Sequence, residues 1–313
     1  MSDFKYQMSD FIPFKDMEVC ERVRGIKKED LCNHPNENFK MRIIEDPTAY
    51  TFSFFSDIVG GIKRSLDEGR QHVIILPAPY PHYALVAQMI NELNISCKHV
   101  HTFNMDEYAD ENGQTAPRTW KGGFQYWMYH DLFDRIRPEL RMPDDQIHFP
   151  LTENVNDYTK MLEDLGGADI CYGAIGWCGH IAFFEPHLAE EFGEDIAAYM
   201  EAGSRIVELH PITQCQNSLF ADAGCSGNVS ACPPKAATIG PKDLANSKLV
   251  SFWCGFAYGD VSWQRFITRL AAHGPVTPRV PASILQILNT QLTISGVVAA
   301  DCVTERGERT FPI

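Results

Sequence analysis

Residues 169–186, DICYGAIGWCGHIAFFEP, combine a predicted strand with a cluster of reactive side chains. The first half, residues 169–176, is a short apolar run of the kind that forms a buried β-strand. Glycines interrupt the second half, and glycine lets a chain turn tightly and approach a ligand closely. A thiol, an imidazole and a carboxylate stand among and behind these glycines, at Cys178, His180 and Glu185. The sequence therefore predicts a strand that ends in a loop with reactive side chains.

Short apolar runs of the same kind recur along the chain and alternate with helical patterns. Strands are predicted within residues 41–44, 72–77, 98–104, 169–176, 235–240, 248–255 and 291–300. Apolar residues at helical spacing predict helices within residues 47–69, 82–94, 124–136, 154–167, 260–274 and 281–289. This alternation predicts an α/β fold with a doubly wound, mostly parallel sheet and helices on both faces.

The pattern also predicts how the chain divides into parts. Residues 1–40 mix charged and aromatic side chains without a sustained period, so we expect an irregular N-terminal extension there. Residues 41–313 carry the strand and helix patterns, and we expect them to form one α/β domain. We find no internal repeat and no low-complexity segment.

Composition excludes several classes of partner. The chain has 313 residues, is 44% hydrophobic and carries a formal net charge of −14 without a basic stripe, so we expect neither nucleic acid nor an anionic membrane surface as a partner. The longest apolar run, residues 249–259, is shorter than the roughly 20 residues that cross a bilayer. The N-terminus lacks the apolar stretch of a signal peptide. The ten cysteines form no C-x-x-C pair, so we expect reduced, buried thiols in a soluble, cytoplasmic protein.

Three unusual segments follow predicted strands. They are residues 77–82 (PAPYPH), 104–108 (NMDEY) and 176–180 (GWCGH). Parallel α/β sheets bind ligands in the crevice beyond the carboxyl ends of their strands. We therefore expect the three segments to converge on one crevice.

Two adjacent carboxylates, Asp106 and Glu107, leave the second of these strands. Their side chains diverge, so one of them is expected to face the crevice. A carboxylate there suits a general base that moves a proton between neighbouring carbons, whereas the structural alternative is a residue that caps a turn or a helix. Asp106 is the candidate base, and Glu107 is a candidate contact for the substrate.

His180 is the candidate acid and base of the third segment. Gly176 and Gly179 precede it and allow a ligand to come close. Such a histidine suits the opening of a sugar ring, in which a proton leaves O1 and another reaches O5; the alternative is a satisfied core histidine. Glu185 would lie about one turn away if the segment were helical, near enough to orient the imidazole, and its alternative role is a first-turn acid of a helix.

Three motifs together resemble the glucosamine-6-phosphate deaminase/isomerase family. They are FNMDEY (residues 103–108), GWCGHIAFFEP (residues 176–186) and KAATIG (residues 235–240), and the similarity extends from about residue 41 to about residue 301. The resemblance implies a Rossmann-like α/β fold and the conversion of an amino-sugar phosphate into a ketose phosphate and ammonia. It also implies a small-molecule sugar substrate and a homo-oligomer, and we expect no cofactor.

The same resemblance implies roles for individual residues. Asp106 corresponds to the base that shuttles a proton between C1 and C2 of the open-chain sugar, His180 to the ring-opening acid and base, and Glu185 to its partner. Cys178 stands where the family usually has an aspartate. A neutral thiol, with an ordinary pKa of roughly 8.5, does not hold an imidazolium as a carboxylate does. Cys178 is therefore included among the candidate catalytic residues. Either it acts as a thiolate, or a different group supplies the negative charge beside the imidazole.

The phosphate-binding elements of the family have no counterparts here. Pro77, Ala78, Tyr80 and His82 belong to a loop that replaces a Gly-Gly loop, and proline lacks the backbone N–H that cradles phosphate. Leu219 stands in place of an arginine, and Ala257 and Tyr258 occupy the region of an expected lysine. We therefore predict an unphosphorylated or atypical sugar, with a substrate site formed by Pro77, Ala78, Tyr80, His82, Glu107, Gly176, Trp177 and Gly179. Tyr80, His82 and Trp177 would stack on the sugar or hydrogen-bond to it, unless they serve ordinary packing.

Metal binding and other activities are the remaining alternatives. Cys178, His180, Glu185, His101 and His210 are zinc-type donors, but no two of them have a recognised ligand spacing, so we expect no metal. The leading hypothesis is a sugar isomerase or deaminase. A hydrolase that resembles 6-phosphogluconolactonase and a catalytically silent sugar-binding or regulatory protein are the alternatives.

Overall fold

A parallel sheet forms the centre of the computed structural model, which describes residues 6–80, 82–220 and 225–303. In chain order the strands are β1 Phe39–Ile44, β2 His72–Leu76, β3 Val100–Asn104, β4 Asp106–Ala109, β5 Ile147–His148, β6 Ile170–Gly173, β7 Arg205–Glu208, β8 Lys235–Thr238, β9 Leu249–Cys254 and β10 Thr290–Ser295. The central sheet has the order β1-β10-β9-β6-β2-β3-β5, and every neighbouring pair is parallel. The predicted α/β sheet is thus confirmed.

The strand order reverses at the middle of the sheet. From β2 the chain builds outward through β3 to β5, and from β6 it builds the other way through β9 to β10. Strands β2 and β6 are therefore neighbours whose following loops leave in opposite directions. Such a reversal opens a crevice at the carboxyl ends of the strands.

Helices cover both faces of this sheet. They are α1 Met17–Arg24, α2 Pro47–Asp67, α3 Tyr83–Glu92, α4 Phe124–Asp131, α5 Tyr158–Asp164, α6 Ala189–Phe192, α7 Ile196–Met200, α8 Pro211–Asn217, α9 Pro241–Ala245, α10 Gln264–His273 and α11 Gly296–Ala299. Side chains of β2 alternate between the two faces: Val73 and Ile75 pack in the core that includes α10, and Ile74 and Leu76 pack in the core that includes α2 and α3. The sheet is buried on both sides, as the apolar runs predicted.

A small antiparallel sheet lies beside the large one and was not predicted. It has the order β4-β8-β7, and Asp106 of β4 pairs with Thr238 of β8. The KAATIG motif forms β8 and so belongs to this sheet and not to the central one. Only Met105 separates β3 from β4, which fixes Asp106 at the carboxyl end of a central strand.

The segment before β1 is more regular than expected. Helix α1 begins after Asp16, whose side chain accepts a hydrogen bond from the Val19 N–H at 3.0 Å. Val23 and Leu31 are fully buried in the same core as α10. The expectation of an irregular arm is therefore wrong for α1, because a helix of eight residues is too short to show a sustained period. The predicted boundary between residues 40 and 41 falls inside β1.

Two further expectations need correction. The segment predicted as a helix within residues 281–289 is a 3-10 helix, Pro281–Ile287, since so short a run does not distinguish 3.0 from 3.6 residues per turn. All ten cysteines lie in the described part of the chain and are free, but Cys215 and Cys225 are exposed, so the prediction of buried thiols holds only for some. None of the helices named above is both long and apolar enough to span a membrane.

Candidate active site

A cavity of about 320 Å³ opens at the carboxyl ends of β2, β3 and β6. After β2 it is lined by residues that include Pro77, Ala78 and Tyr80. Asp106 lines it after β3, and His180 lines it after β6. The three segments that the topology predicted to converge do meet at this crevice.

Asp106 is a buried carboxyl group at the cavity wall. It is only 5% exposed, and its Oδ1 atom is shielded from solvent and has no hydrogen-bond partner within the described residues. Burial, and then the charge of the neighbouring Glu107, raise the pKa of Asp106 well above its ordinary value. A carboxylate with a raised pKa is suited to accept a proton near neutral pH.

The imidazole of His180 is held from behind by three side chains. Its Nδ1 atom lies 2.9 Å from Thr213 Oγ1, 3.2 Å from Cys178 Sγ and 3.4 Å from Glu185 Oε2. Thr213 Oγ1 donates to Glu185 Oε2 at 3.0 Å, which links the hydroxyl and the carboxylate directly. Because Nδ1 is engaged in this network, the opposite ring nitrogen, Nε2, is the one left for a ligand.

Thr213, in the first turn of α8, belongs to the candidate site but is not revealed by the sequence. It is fully buried and contacts His180, Cys178 and Glu185 at once. A single threonine in the helix that starts at Pro211 is not part of any sequence motif that would indicate a site residue. Its role depends only on how α8 packs against the loop after β6.

Glu185 supplies the negative charge of this network. Burial alone would raise its pKa, but the charge of His180 and hydrogen bonds from His180, Thr213 and Cys178 outweigh that effect, so the pKa lies below its ordinary value. Its second oxygen, Oε1, accepts a hydrogen bond from the His210 backbone N–H at 3.2 Å. Glu185 is thus a buried carboxylate held in its charged form.

Cys178 is a neutral thiol in this setting. Burial, and then the charge of Glu185, raise its pKa well above the ordinary value. Its Sγ atom donates to Glu185 Oε2 at 3.3 Å. These contacts favour the alternative in which another group, Glu185, supplies the charge, and the role of Cys178 stays a prediction.

The loop after β6 is a tight turn and not the helix that the spacing of His180 and Glu185 suggested. The Gly176 N–H donates to the His180 carbonyl at 3.0 Å, and Gly179 adopts a positive φ of 89°. A Cβ atom on Gly176 would overlap His180 Nε2, so any side chain there would displace the imidazole. Gly176 and His180 both line the cavity.

Other predicted site residues lie away from the cavity. Glu107 is fully buried and its carboxylate accepts hydrogen bonds from the backbone N–H groups of Tyr108, Phe124 and Gln125 at 2.7–2.9 Å, so it caps the start of α4. His82 is exposed and stacks on Phe55. The capping alternative raised for the carboxylate pair thus applies to Glu107, and neither residue lines the cavity.

The described part of the cavity wall is acidic and aromatic. It contains no lysine or arginine, and its carboxylates are Asp106 and Asp131. Leu219 stands at the position where the resemblance implied an arginine, and Tyr258 in the region where it implied a lysine. These two residues are hydrogen-bonded to each other: the Tyr258 hydroxyl donates to the Leu219 carbonyl at 2.5 Å. Eight aromatic side chains line the cavity: Tyr80, Tyr108, Phe124, Trp127, Phe183, Phe220, Phe256 and Trp263.

The residues behind His180 also form a group of metal-type donors. Ligand atoms of Cys178, His180 and Glu185 all lie within 4.8 Å of one another. Thiolate, imidazole and carboxylate are donors that zinc accepts. His210 offers this group only its backbone N–H to Glu185, and His101 stacks on His148 elsewhere. The expectation that the chain holds no metal stays a prediction.

Comparison with known proteins places the chain among related sequences and folds. No protein-family model matches it. A glucosamine-6-phosphate deaminase of Lachnoclostridium phytofermentans is 29% identical over 222 residues, which cover 69% of this chain and 81% of the relative. The same enzyme of Clostridium botulinum (strain Loch Maree / Type A3) is 26% identical over 216 residues, covering 67% and 76%.

The chain is thus similar in sequence to glucosamine-6-phosphate deaminases. A solved monomeric glucosamine-6-phosphate deaminase superposes with a TM-score of 0.67 at 19% identity, covering 83% of this chain and 98% of that one. A 6-phosphogluconolactonase from Thermotoga maritima gives a TM-score of 0.56 at 14% identity, covering 82% and 98%. At these identities the two structures show a shared fold.

Proposed function

We propose that this protein catalyses proton transfer between C1 and C2 of an open-chain sugar, an aldose–ketose isomerisation with or without release of ammonia. The observation that carries the proposal is that Asp106 and His180, from two different strand ends, face one cavity. The relatives named as deaminases support the same reaction class.

Asp106 is the proposed base. Its Oδ1 atom is unpartnered within the described residues, and its raised pKa brings the carboxyl group toward the pH at which it exchanges a proton readily. In the isomerisation it removes the proton from C2 and returns it to C1 through an enediol or its amine analogue.

His180 is the proposed ring-opening acid and base. His180 lines the cavity, and Thr213 and Glu185 engage its Nδ1 atom, which leaves Nε2 for the substrate. When the imidazole accepts a proton, the buried charge of Glu185 stabilises the imidazolium. Cys178 carries no charge that could stabilise the imidazolium, so Glu185 takes this role.

The proposed substrate is an unphosphorylated or otherwise atypical sugar. A phosphate dianion that entered the cavity would lose its hydration without gaining an arginine or lysine partner from the described residues that line it. Asp106 and Asp131 would add repulsion. A neutral or cationic sugar meets neither penalty.

Deuterium incorporation tests the proposal. Wild-type protein is incubated in D₂O with glucosamine, glucose and glucosamine 6-phosphate, and ¹H NMR follows exchange at C2 while a coupled assay follows ammonia. We expect exchange with at least one unphosphorylated sugar and about 10²–10⁴-fold slower exchange with Asp106→Asn. Asp131→Asn is the matched control, since Asp131 lines the same cavity but is already paired with His130 at 2.8 Å. Equal loss in both variants would show a need for negative charge and no specific base.

The alternative activities predict other results. Hydrolysis of a sugar lactone without C2 exchange would replace the proposal by a lactonase, which at present the shared fold alone supports. Ligand-induced thermal stabilisation without any turnover would indicate a sugar-binding protein.

A further inference from the structure

Four aromatic side chains form a continuous strip from the cavity to the surface, here called the aromatic wall. Phe220 and Phe256 have ring centroids 4.7 Å apart, Phe256 and Trp263 5.1 Å, and Trp263 and Trp177 6.0 Å. The first three line the same cavity as Asp106 and His180. Trp177 extends the strip outward and is 39% exposed.

Hydrogen bonds hold the wall in place. The Gln264 side chain accepts from the Phe256 N–H at 2.7 Å and donates to the Ile175 carbonyl at 2.8 Å, which ties the wall to the end of β6. The Ser262 hydroxyl donates to the Phe256 carbonyl at 2.6 Å. These bonds engage the side chains of Gln264 and Ser262, which support the wall, within the protein.

The wall therefore presents ring faces and few hydrogen-bonding groups. The Tyr258 hydroxyl beside it donates to the Leu219 carbonyl, and the Gln216 side-chain oxygen accepts from the Trp177 backbone N–H at 2.6 Å. The Trp263 indole N–H is shielded from solvent and has no hydrogen-bond partner among the described residues. A sugar hydroxyl placed there would lose hydrogen bonds to water without replacing them. An apolar group would gain from burial against the rings.

We propose that the aromatic wall binds an uncharged aromatic or alkyl substituent carried by the sugar at a position remote from C1 and C2. The inference rests on the proposed function, because it assumes that the reacting carbons lie at Asp106 and His180. It assigns Phe220, Phe256, Trp263 and Trp177 as specificity-determining residues. The sugar substrate is then a 4-O- or 6-O-substituted sugar whose substituent is apolar.

Binding measurements test this inference independently of turnover. Isothermal titration uses the Asp106→Asn protein, which leaves ligands unconverted, with glucosamine, its 4-O-benzyl and 6-O-benzyl ethers, its 6-phosphate and a β-1,4-linked glucosamine disaccharide. At least one benzyl ether is expected to bind about tenfold more tightly than glucosamine. The inference is overturned if neither ether does so, or if the phosphate or the disaccharide binds as tightly as the ethers.

A matched pair of variants locates the effect. Trp177 and Trp120 are both 39% exposed, but Trp120 lies outside the wall and packs against Tyr108. Trp177→Ala, and more strongly Trp263→Ala, are expected to reduce the preference for the benzyl ether, while Trp120→Ala retains it. Equal preference in all three variants would place the benzyl group elsewhere. Turnover of glucosamine without a benzyl preference would overturn this inference alone and leave the proposed function intact.

Discussion

Replacement of Asp106 by asparagine is expected to move activity and stability in opposite directions. Asp106 is 5% exposed, its Oδ1 atom has no partner within the described residues, and Glu107 adds like charge. Holding a carboxylate there costs folding free energy that a neutral side chain avoids. The same carboxylate is the proposed base, so its loss removes the proton transfer.

The pH dependence follows from the raised pKa of Asp106. The unfolded chain releases this proton at about pH 3.9, whereas the folded protein retains it to a higher pH. The stability that the protonated group contributes is therefore complete below the unfolded pKa and is lost as pH rises through the folded pKa. An asparagine side chain cannot ionise, so the Asp106→Asn variant does not undergo this loss.

The expected magnitude is about 1–2 kcal/mol in favour of Asp106→Asn at pH 8, the scale of one uncompensated buried polar group. Thermal unfolding at pH 8 and pH 5 measures it, and the gain is expected to be larger at pH 8. Turnover is expected to fall by about 10²–10⁴. Asp131→Asn is the control for stability: it removes the charge from the hydrogen bond with His130 and is expected to give no gain in stability. A less stable Asp106→Asn protein at pH 8, or one with unchanged turnover, would show that Asp106 is not a strained buried base.

Three further substitutions test the surroundings of the site. In Gly176→Ala the added Cβ atom would overlap His180 Nε2 and displace the imidazole. The protein is expected to fold but to turn over at least about 100-fold more slowly, the usual effect of losing one acid-base group. Normal kinetics would contradict the placement of the ring. Glu107→Gln is expected to lower the free energy of unfolding by about 2 kcal/mol, since it weakens the buried cap of α4, and denaturant titration measures the change. In the wild-type protein the Cys178 Sγ atom lies 3.2 Å from His180 Nδ1. Cys178→Asp places a second carboxylate beside the imidazole, where it favours the protonated ring, so the pH profile of turnover is expected to move to higher pH. An unchanged profile would mean that position 178 does not tune the histidine.

The strand and helix pattern predicted the fold well because the central strands are buried on both faces. β2 and β9 are apolar nearly throughout, and such runs stand out in a sequence. The small antiparallel sheet did not stand out, since its strands have only four residues each. Short strands carry too little periodicity to reveal which sheet they join.

The part of the candidate site that lies at the ends of the central strands was predicted from the sequence. Topology brings the ends of β2, β3 and β6 together, so Asp106 and His180 could be expected at one crevice. Of the aromatic wall, only Trp177 was expected near the substrate. Thr213 and the other three aromatic residues could not be expected there, because their positions depend on how α8 and the segment before α10 pack in three dimensions. Glu107 shows the converse: a carboxylate beside Asp106 in sequence points away from the cavity and caps a helix.

The activity proposed for this protein is proton transfer on an unphosphorylated or otherwise atypical sugar. Its decisive test is the ratio of kcat/KM for glucosamine to kcat/KM for glucosamine 6-phosphate, measured under identical conditions with the wild-type protein. We expect a ratio above one, because no lysine or arginine among the described residues lines the cavity. A clear preference for the 6-phosphate would show that the cavity binds phosphate after all.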